Sequence, residues 1–164
     1  MQEILTNQQI EQKINRIAHE IIENSSDFPV LYLAGVSGNG MHLAQLLAEL
    51  ISKFAQKQMF CFEIRLDKDE PLKHPITTDF KLDDLQHGFV VLIDDVVNSG
   101  KTMQYALTKL LSVDCRMIKT AALVDRVHRR YPIRCDYVGM TLSTTLQERV
   151  EVDFNESGIT AYLV

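Results

Sequence analysis

The 164-residue sequence has no apolar run approaching the ~20 residues that a membrane-spanning helix requires. Its first residues, MQEILTNQQI, lack the basic start and apolar stretch of a secretion signal. Both absences predict a cytoplasmic protein. Cysteine is scarce: Cys61, Cys115 and Cys135 stand far apart, odd in number and without a CxxC pair. That argues against a zinc knuckle and a disulfide framework, leaving three small hydrophobic side chains. Internal repeats, low-complexity tracts and linkers are also missing, so residues 1–164 are expected to form one domain.

Positive charge is the minority sign. A net charge of −5 argues against a general nucleic-acid binder. One stretch runs the other way: Asp125–Arg134, DRVHRRYPIR, holds four of the eight arginines and, less Asp125, a local charge of +3.

Apolar spacing organises the rest. Ile10, Ile14, Ile17 and Ile21 recur at helical intervals over Asn7–Glu23, with Thr6 and Gln9 placed for a capping box. Val30–Ala34 reads as a buried strand, Val36–Gly40 as a glycine-rich turn and Met41–Phe54 as a helix. Met59–Leu66 is a strand candidate, followed by a polar, proline-containing excursion over Asp67–Phe80. Phe89–Ile93 is the clearest strand. A helix should follow from about Thr102, with Leu107, Leu110 and Leu111 on one side. Ile118–Val124 and Ile133–Val138 are further strands, with shorter ones expected near Arg149–Phe154 and Thr160–Val164. Alternating helices and continuously apolar strands predict an α/β protein whose parallel sheet is covered on both faces. Ligands of such sheets bind beyond the carboxyl ends of the strands, which singles out Val36–Gly40 and Asp94–Lys101.

The second of these segments carries the chemistry. In VVLIDDVVNSGKT (Val90–Thr102) a buried strand delivers two adjacent carboxylates, Asp94 and Asp95, to the expected sheet edge. The turn Asn98-Ser99-Gly100 then exposes N–H groups at the positive end of a helix dipole, which suits an anion. Those N–H groups and the hydroxyls of Ser99 and Thr102 suit a phosphate. The carboxylates suit vicinal sugar hydroxyls. An ATP-binding P-loop would need glycine where Asp95 stands, and Gly38–Leu43 lacks the third glycine of a dinucleotide fingerprint.

Val90–Thr102 resembles the phosphoribosyl pyrophosphate (PRPP) signature of type I phosphoribosyltransferases. INRIAHEIIE (Ile14–Glu23), AALVDRVHRRYPIRCDYVGM (Ala121–Met140) and LQERVEV (Leu146–Val152) are similar to the pyrimidine-operon attenuation regulators, which also have uracil phosphoribosyltransferase activity. The resemblance implies a parallel-sheet phosphoribosyltransferase fold with helices on both faces and a small hood. It implies that Asp94 and Asp95 contact the ribose hydroxyls, that Asn98, Ser99, Gly100, Lys101 and Thr102 hold the 5′-phosphate, and that Ser37, Gly38, Asn39 and Gly40 form the pyrophosphate loop. Uracil or UMP would lie near Tyr137, Val138, Gly139 and Met140, and Mg²⁺ would arrive with PRPP rather than on a dedicated protein site. Leader mRNA of pyrimidine genes would meet Arg16 and His19 of the first helix together with Arg126, His128, Arg129, Arg130 and Arg134. A homodimer or higher homo-oligomer is implied as well.

The sequence departs from the family in two places. The pyrophosphate loop lacks the family's Thr-Arg and so has no cation of its own, and the excursion after Leu66 is short. Purine phosphoribosyltransferases carry an acid where Asn98 stands, whereas Asn can hydrogen-bond but takes up no proton. Three readings stay open: a uracil enzyme with a regulatory role, a hypoxanthine–guanine enzyme, and a regulator that senses PRPP or UMP without turnover.

Overall fold

The computed structural model describes residues 1–143, 145 and 147–164; Leu146, which opens the third family-like stretch, lies outside the described residues. Its elements, in chain order, are β1 (Gln2–Leu5), α1 (Asn7–Asn24), β2 (Val30–Val36), α2 (Asn39–Phe54), β3 (Gln58–Ile64), β4 (Phe89–Val97), α3 (Lys101–Leu110), β5 (Met117–Asp125), β6 (Tyr137–Thr141), β7 (Val150–Asn155) and β8 (Gly158–Leu163). Five strands form a parallel sheet in the order β3-β2-β4-β5-β6, and three form an antiparallel hood in the order β1-β8-β7.

The capping box forms as expected. Gln9 N–H donates to Thr6 Oγ1 at 3.3 Å, and Thr6 N–H to Gln9 Oε1 at 2.9 Å. The isoleucine stripe of α1 packs with Leu43, Leu47 and Ile51 of α2 against Leu31, Leu33, Val91 and Ile93. Met103, Ala106 and Leu110 of α3 cover the other face, over Ala34, Val90 and Leu92. Alternate residues of β2 and β4 thus serve opposite cores, which is why those strands read as continuously apolar. Burying each large aliphatic side chain contributes about 1.5–3 kcal/mol.

Several boundaries move. β4 runs on through Asp94 and Asp95 to Val97, because parallel pairing with β5 continues to Val97–Asp125. The two acids are therefore strand residues, and the expected loop edge begins only at Asn98. Asn39 and Gly40 belong to the first turn of α2. Leu111 caps α3 and is 62 % exposed, so it is not part of the buried side. The strand expected over Ile133–Val138 starts at Tyr137, with Ile133 and Cys135 packing on the α3 side of the sheet from a loop. The polar stretch after β3 is tied at its base by a two-bond pairing of Arg65 with Thr77, at 2.8 and 3.0 Å. Burial pushes the Cys61 and Cys135 thiols up to about 11 and about 12, so both stay protonated.

Candidate active site

Two helix starts and the end of β4 converge at one edge of the sheet. Gly40 lets α2 begin directly on β4: a Cβ there would meet Ile93 O at 2.8 Å and Asp94 Oδ1 at 3.0 Å. Gly38, at φ +87, makes the turn into the helix without a side-chain cap; its carbonyl accepts the Met41 and His42 N–H groups, leaving those of Asn39 and Gly40 without a helical acceptor. Asn39, from that turn, donates to Asp95 Oδ2 at 3.1 Å and to Val152 O of the hood at 2.9 Å.

Asp94 is 3 % exposed and accepts the Asp95 N–H at 3.0 Å. Burial, reinforced by the neighbouring Asp95 charge, raises its carboxyl from 3.8 to about 8. Lys68 Nζ, 3.6 Å from Asp94 Oδ1, acts in the opposite sense.

Beyond the acids, Gly100 adopts φ +84 at the start of α3, and Ser99 Oγ accepts the Lys101 N–H at 3.2 Å. This turn encloses a cup of about 90 Å³ lined by Asp94 and residues 96–103. A second cavity of about 410 Å³ adjoins it, sharing Asp94, Val96, Asn98 and Thr102. Its remaining walls are Asn39, Lys68, Asp95 and the hood residues Val150, Glu151 and Val152.

The arginine-rich stretch behaves differently from a free basic patch. Arg126 is only 5 % exposed, donating to Asn98 Oδ1 at 2.9 Å and Thr145 O at 3.0 Å. Arg129 donates to Asn98 O and Ile133 O, both at 3.0 Å, and pairs with Asp125 at 2.9 Å. The backbone N–H groups of Arg130 and Tyr131 both reach Ser99 O. These contacts buttress the turn at Asn98–Gly100, and the donors of Arg126 and Arg129, both expected at an RNA surface, are directed inward. Arg130 and Arg134 are exposed, the latter paired with Asp136, and His128 is half-buried. Arg16 and His19 project from α1 in different directions, Arg16 towards β6 and His19 against Phe54 of α2.

The residues expected to read a base lie within a strand. Tyr137–Met140 form β6 itself, and the carbonyls of Val138 and Gly139 accept from Arg16 at 2.9 Å. Neither cavity at the acid pair is lined by them; the hood strand β7 stands there instead. Sequence reasoning missed the Asn39 bridge, the Arg126 contact to Asn98 and the position of Lys68. Only the basic motif gave any signal of the second.

The phosphoribosyl transferase domain family matches residues 1–155. The chain belongs to the type I phosphoribosyltransferases. Within that class it is similar to the bifunctional protein PyrR of Bacillus mycoides and of Bacillus cereus, at 36% identity over 163 residues, 94% of this chain and 91% of each relative. Solved structures agree on the fold. Hypoxanthine phosphoribosyltransferase of Trypanosoma cruzi superposes with TM-score 0.77 at 16% identity, covering 98% of this chain and 95% of its own. A hypoxanthine-guanine phosphoribosyltransferase of Bacillus anthracis gives 0.76 at 16%, covering 100% and 98%.

Proposed function

We propose that this chain transfers the phosphoribosyl group of PRPP to uracil, forming UMP and pyrophosphate. The 5′-phosphate would occupy the cup at Asn98–Thr102, with the ribose hydroxyls donating to Asp94 and Asp95 and the base reaching into the cavity under β7. Mg²⁺ fits this donor set as a companion of PRPP, since two carboxylates are too few oxygens to hold it alone. When bound it neutralises the departing pyrophosphate. Asp95, joined by Asp94 once it is ionised, stabilises the positive charge that develops on the sugar.

The Arg126–Asn98 contact carries the choice of base. A guanidinium has donors only, so the amide must turn its oxygen to Arg126 and leave its NH₂ for the cavity occupant. That NH₂ complements a carbonyl oxygen such as those of uracil. Asn98 supplies no carboxylate, the group that purine phosphoribosyltransferases carry at this position. kcat/KM measured for uracil, hypoxanthine and guanine at saturating PRPP and Mg²⁺ should favour uracil, and a preference for a purine overturns the assignment. Tight PRPP and UMP binding without turnover of any base would favour the sensing role instead.

A regulatory role on leader mRNA of pyrimidine genes belongs to the same proposal. The exposed arginines at 130 and 134 and the similarity to proteins called bifunctional support it. Assembly as a homodimer or larger homo-oligomer, measurable by light scattering, rests on the family resemblance.

A further inference from the structure

The anion end of this site is short of positive charge. Ser37–Gly40 bears none, although a pyrophosphate must lie against it. Among the described residues lining the 410 Å³ cavity, Asp94, Asp95 and Glu151 are acids and Lys68 is the one base.

Lys68 comes from the segment after β3, and its presentation is fixed by local structure. Asp67 Oδ1 accepts the N–H groups of Asp69 at 3.0 Å and Glu70 at 2.9 Å, folding the chain into a turn around Lys68. Lys101, from the start of α3, donates to Asp69 O at 3.0 Å and ties that turn to the phosphate loop. The ammonium of Lys68 then stands 3.6 Å from Asp94 Oδ1. Gly40 approaches that same oxygen, so the amine sits beside the N-terminal turn of α2. Its side chain is 42% exposed, and its flexible four-carbon stem can reach along the cavity wall.

We propose that Lys68 is the cation that grips the pyrophosphate of PRPP in this site, replacing the charge its pyrophosphate loop lacks. It rests on the phosphoribosyl-transfer reading but not on which base is used. As PRPP enters, the ammonium passes from Asp94 to the pyrophosphate oxygens, and Asp94 turns to the ribose hydroxyls. In the reaction the C1′–O bond breaks with its electron pair leaving on pyrophosphate, and that growing charge faces Lys68. The C1′–N bond to the base forms, and the base's ring proton departs to solvent. A single residue thereby serves binding and leaving-group stabilisation, delivered from a loop instead of from the helix turn.

The test compares Lys68→Met, which keeps the stem without the charge, with Lys68→Arg. Calorimetry would measure PRPP, magnesium pyrophosphate and UMP, the last having no pyrophosphate to grip. Lys68→Met should weaken PRPP and magnesium pyrophosphate about tenfold or more, as loss of a charge-assisted contact does. UMP affinity should change less than about twofold, and Lys68→Arg should recover most of the loss. Unchanged PRPP and pyrophosphate affinity in Lys68→Met overturns the proposal. So does an equal loss for UMP, which would mean a distorted site. If the unaltered protein binds neither PRPP nor UMP, the phosphoribosyl reading itself falls.

Discussion

The amide of Asn39 lies 3.1 Å from the carboxylate of Asp95, across a sequence separation of 56 residues. Its second N–H holds Val152 O, so one nitrogen joins the helix turn, the acidic strand and the hood. Both acceptors lose their partner in Asn39→Ala. We expect KM for PRPP to rise about tenfold and stability to fall by about 1–2 kcal/mol. Steady-state kinetics and urea unfolding would check this; unchanged values for both would make the bridge incidental.

Asp94 couples the site to pH. Its carboxyl is raised, so between the ordinary value of 3.8 and about 8 the folded chain holds a proton that the unfolded chain releases. Stability therefore falls as pH rises through that window, by at most about 1.4 kcal/mol per unit. Urea midpoints at about pH 6 and about pH 8.5 should show the decline, and Asp94→Asn should remove it while raising stability at the higher pH. The same substitution should greatly weaken PRPP and nucleoside monophosphate binding. A pH slope that survives in Asp94→Asn assigns the titration elsewhere.

Arg129 and Arg130 are neighbours with opposite expectations. Arg129→Ala removes bonds to Asn98, Ile133 and Asp125 and should cost about 1–3 kcal/mol while weakening PRPP binding. Arg130→Ala should leave both nearly unchanged, because its backbone N–H holds Ser99 O while its side chain is exposed. In filter binding to leader RNA over several salt concentrations, it should flatten the salt slope by about one. No change of slope in Arg130→Ala would remove this loop from any RNA contact.

Val127 sits at φ 59 and is 55% exposed, a backbone conformation that β-branched residues rarely adopt. Left-handed backbone costs an L residue roughly 1–2 kcal/mol, and glycine's extra freedom when unfolded takes back part of any gain. Val127→Gly should raise stability by about 0.5–1 kcal/mol, seen as a melting shift of roughly 1–4 °C. A fall in melting temperature would show that the valine side chain contributes packing that outweighs the strain.

Local patterns were legible and long-range bonds were not. The α1 stripe, its capping box and the strand–turn–helix at the acids could all be read, because each depends on residues a few positions apart. The end of β4 was misjudged because two charged residues look like a strand terminus, although pairing with β5 carries the backbone past them. Nothing in QEIL announces a strand: two of the four residues of β1 are polar and three of them are not buried, and it exists only by pairing with β8. Likewise DRVHRRYPIR reads as a solvated basic face. Its inward use at Asn98 depends on a partner 28 residues away that no spacing rule identifies.

The hood has a kinetic consequence. Among the described residues β1 pairs with β8 alone, so Gln2 meets Leu163 and a very long loop must close before that contact can form. Closing so long a loop is entropically costly and rewards the chain late, after the parallel sheet and its helices have condensed from nearer contacts. β7, which pairs with β8, supplies one wall of the larger cavity. During refolding the cup at Asn98–Thr102 should therefore mature before the larger cavity under β7, and ligands that need only the cup should be the first to bind.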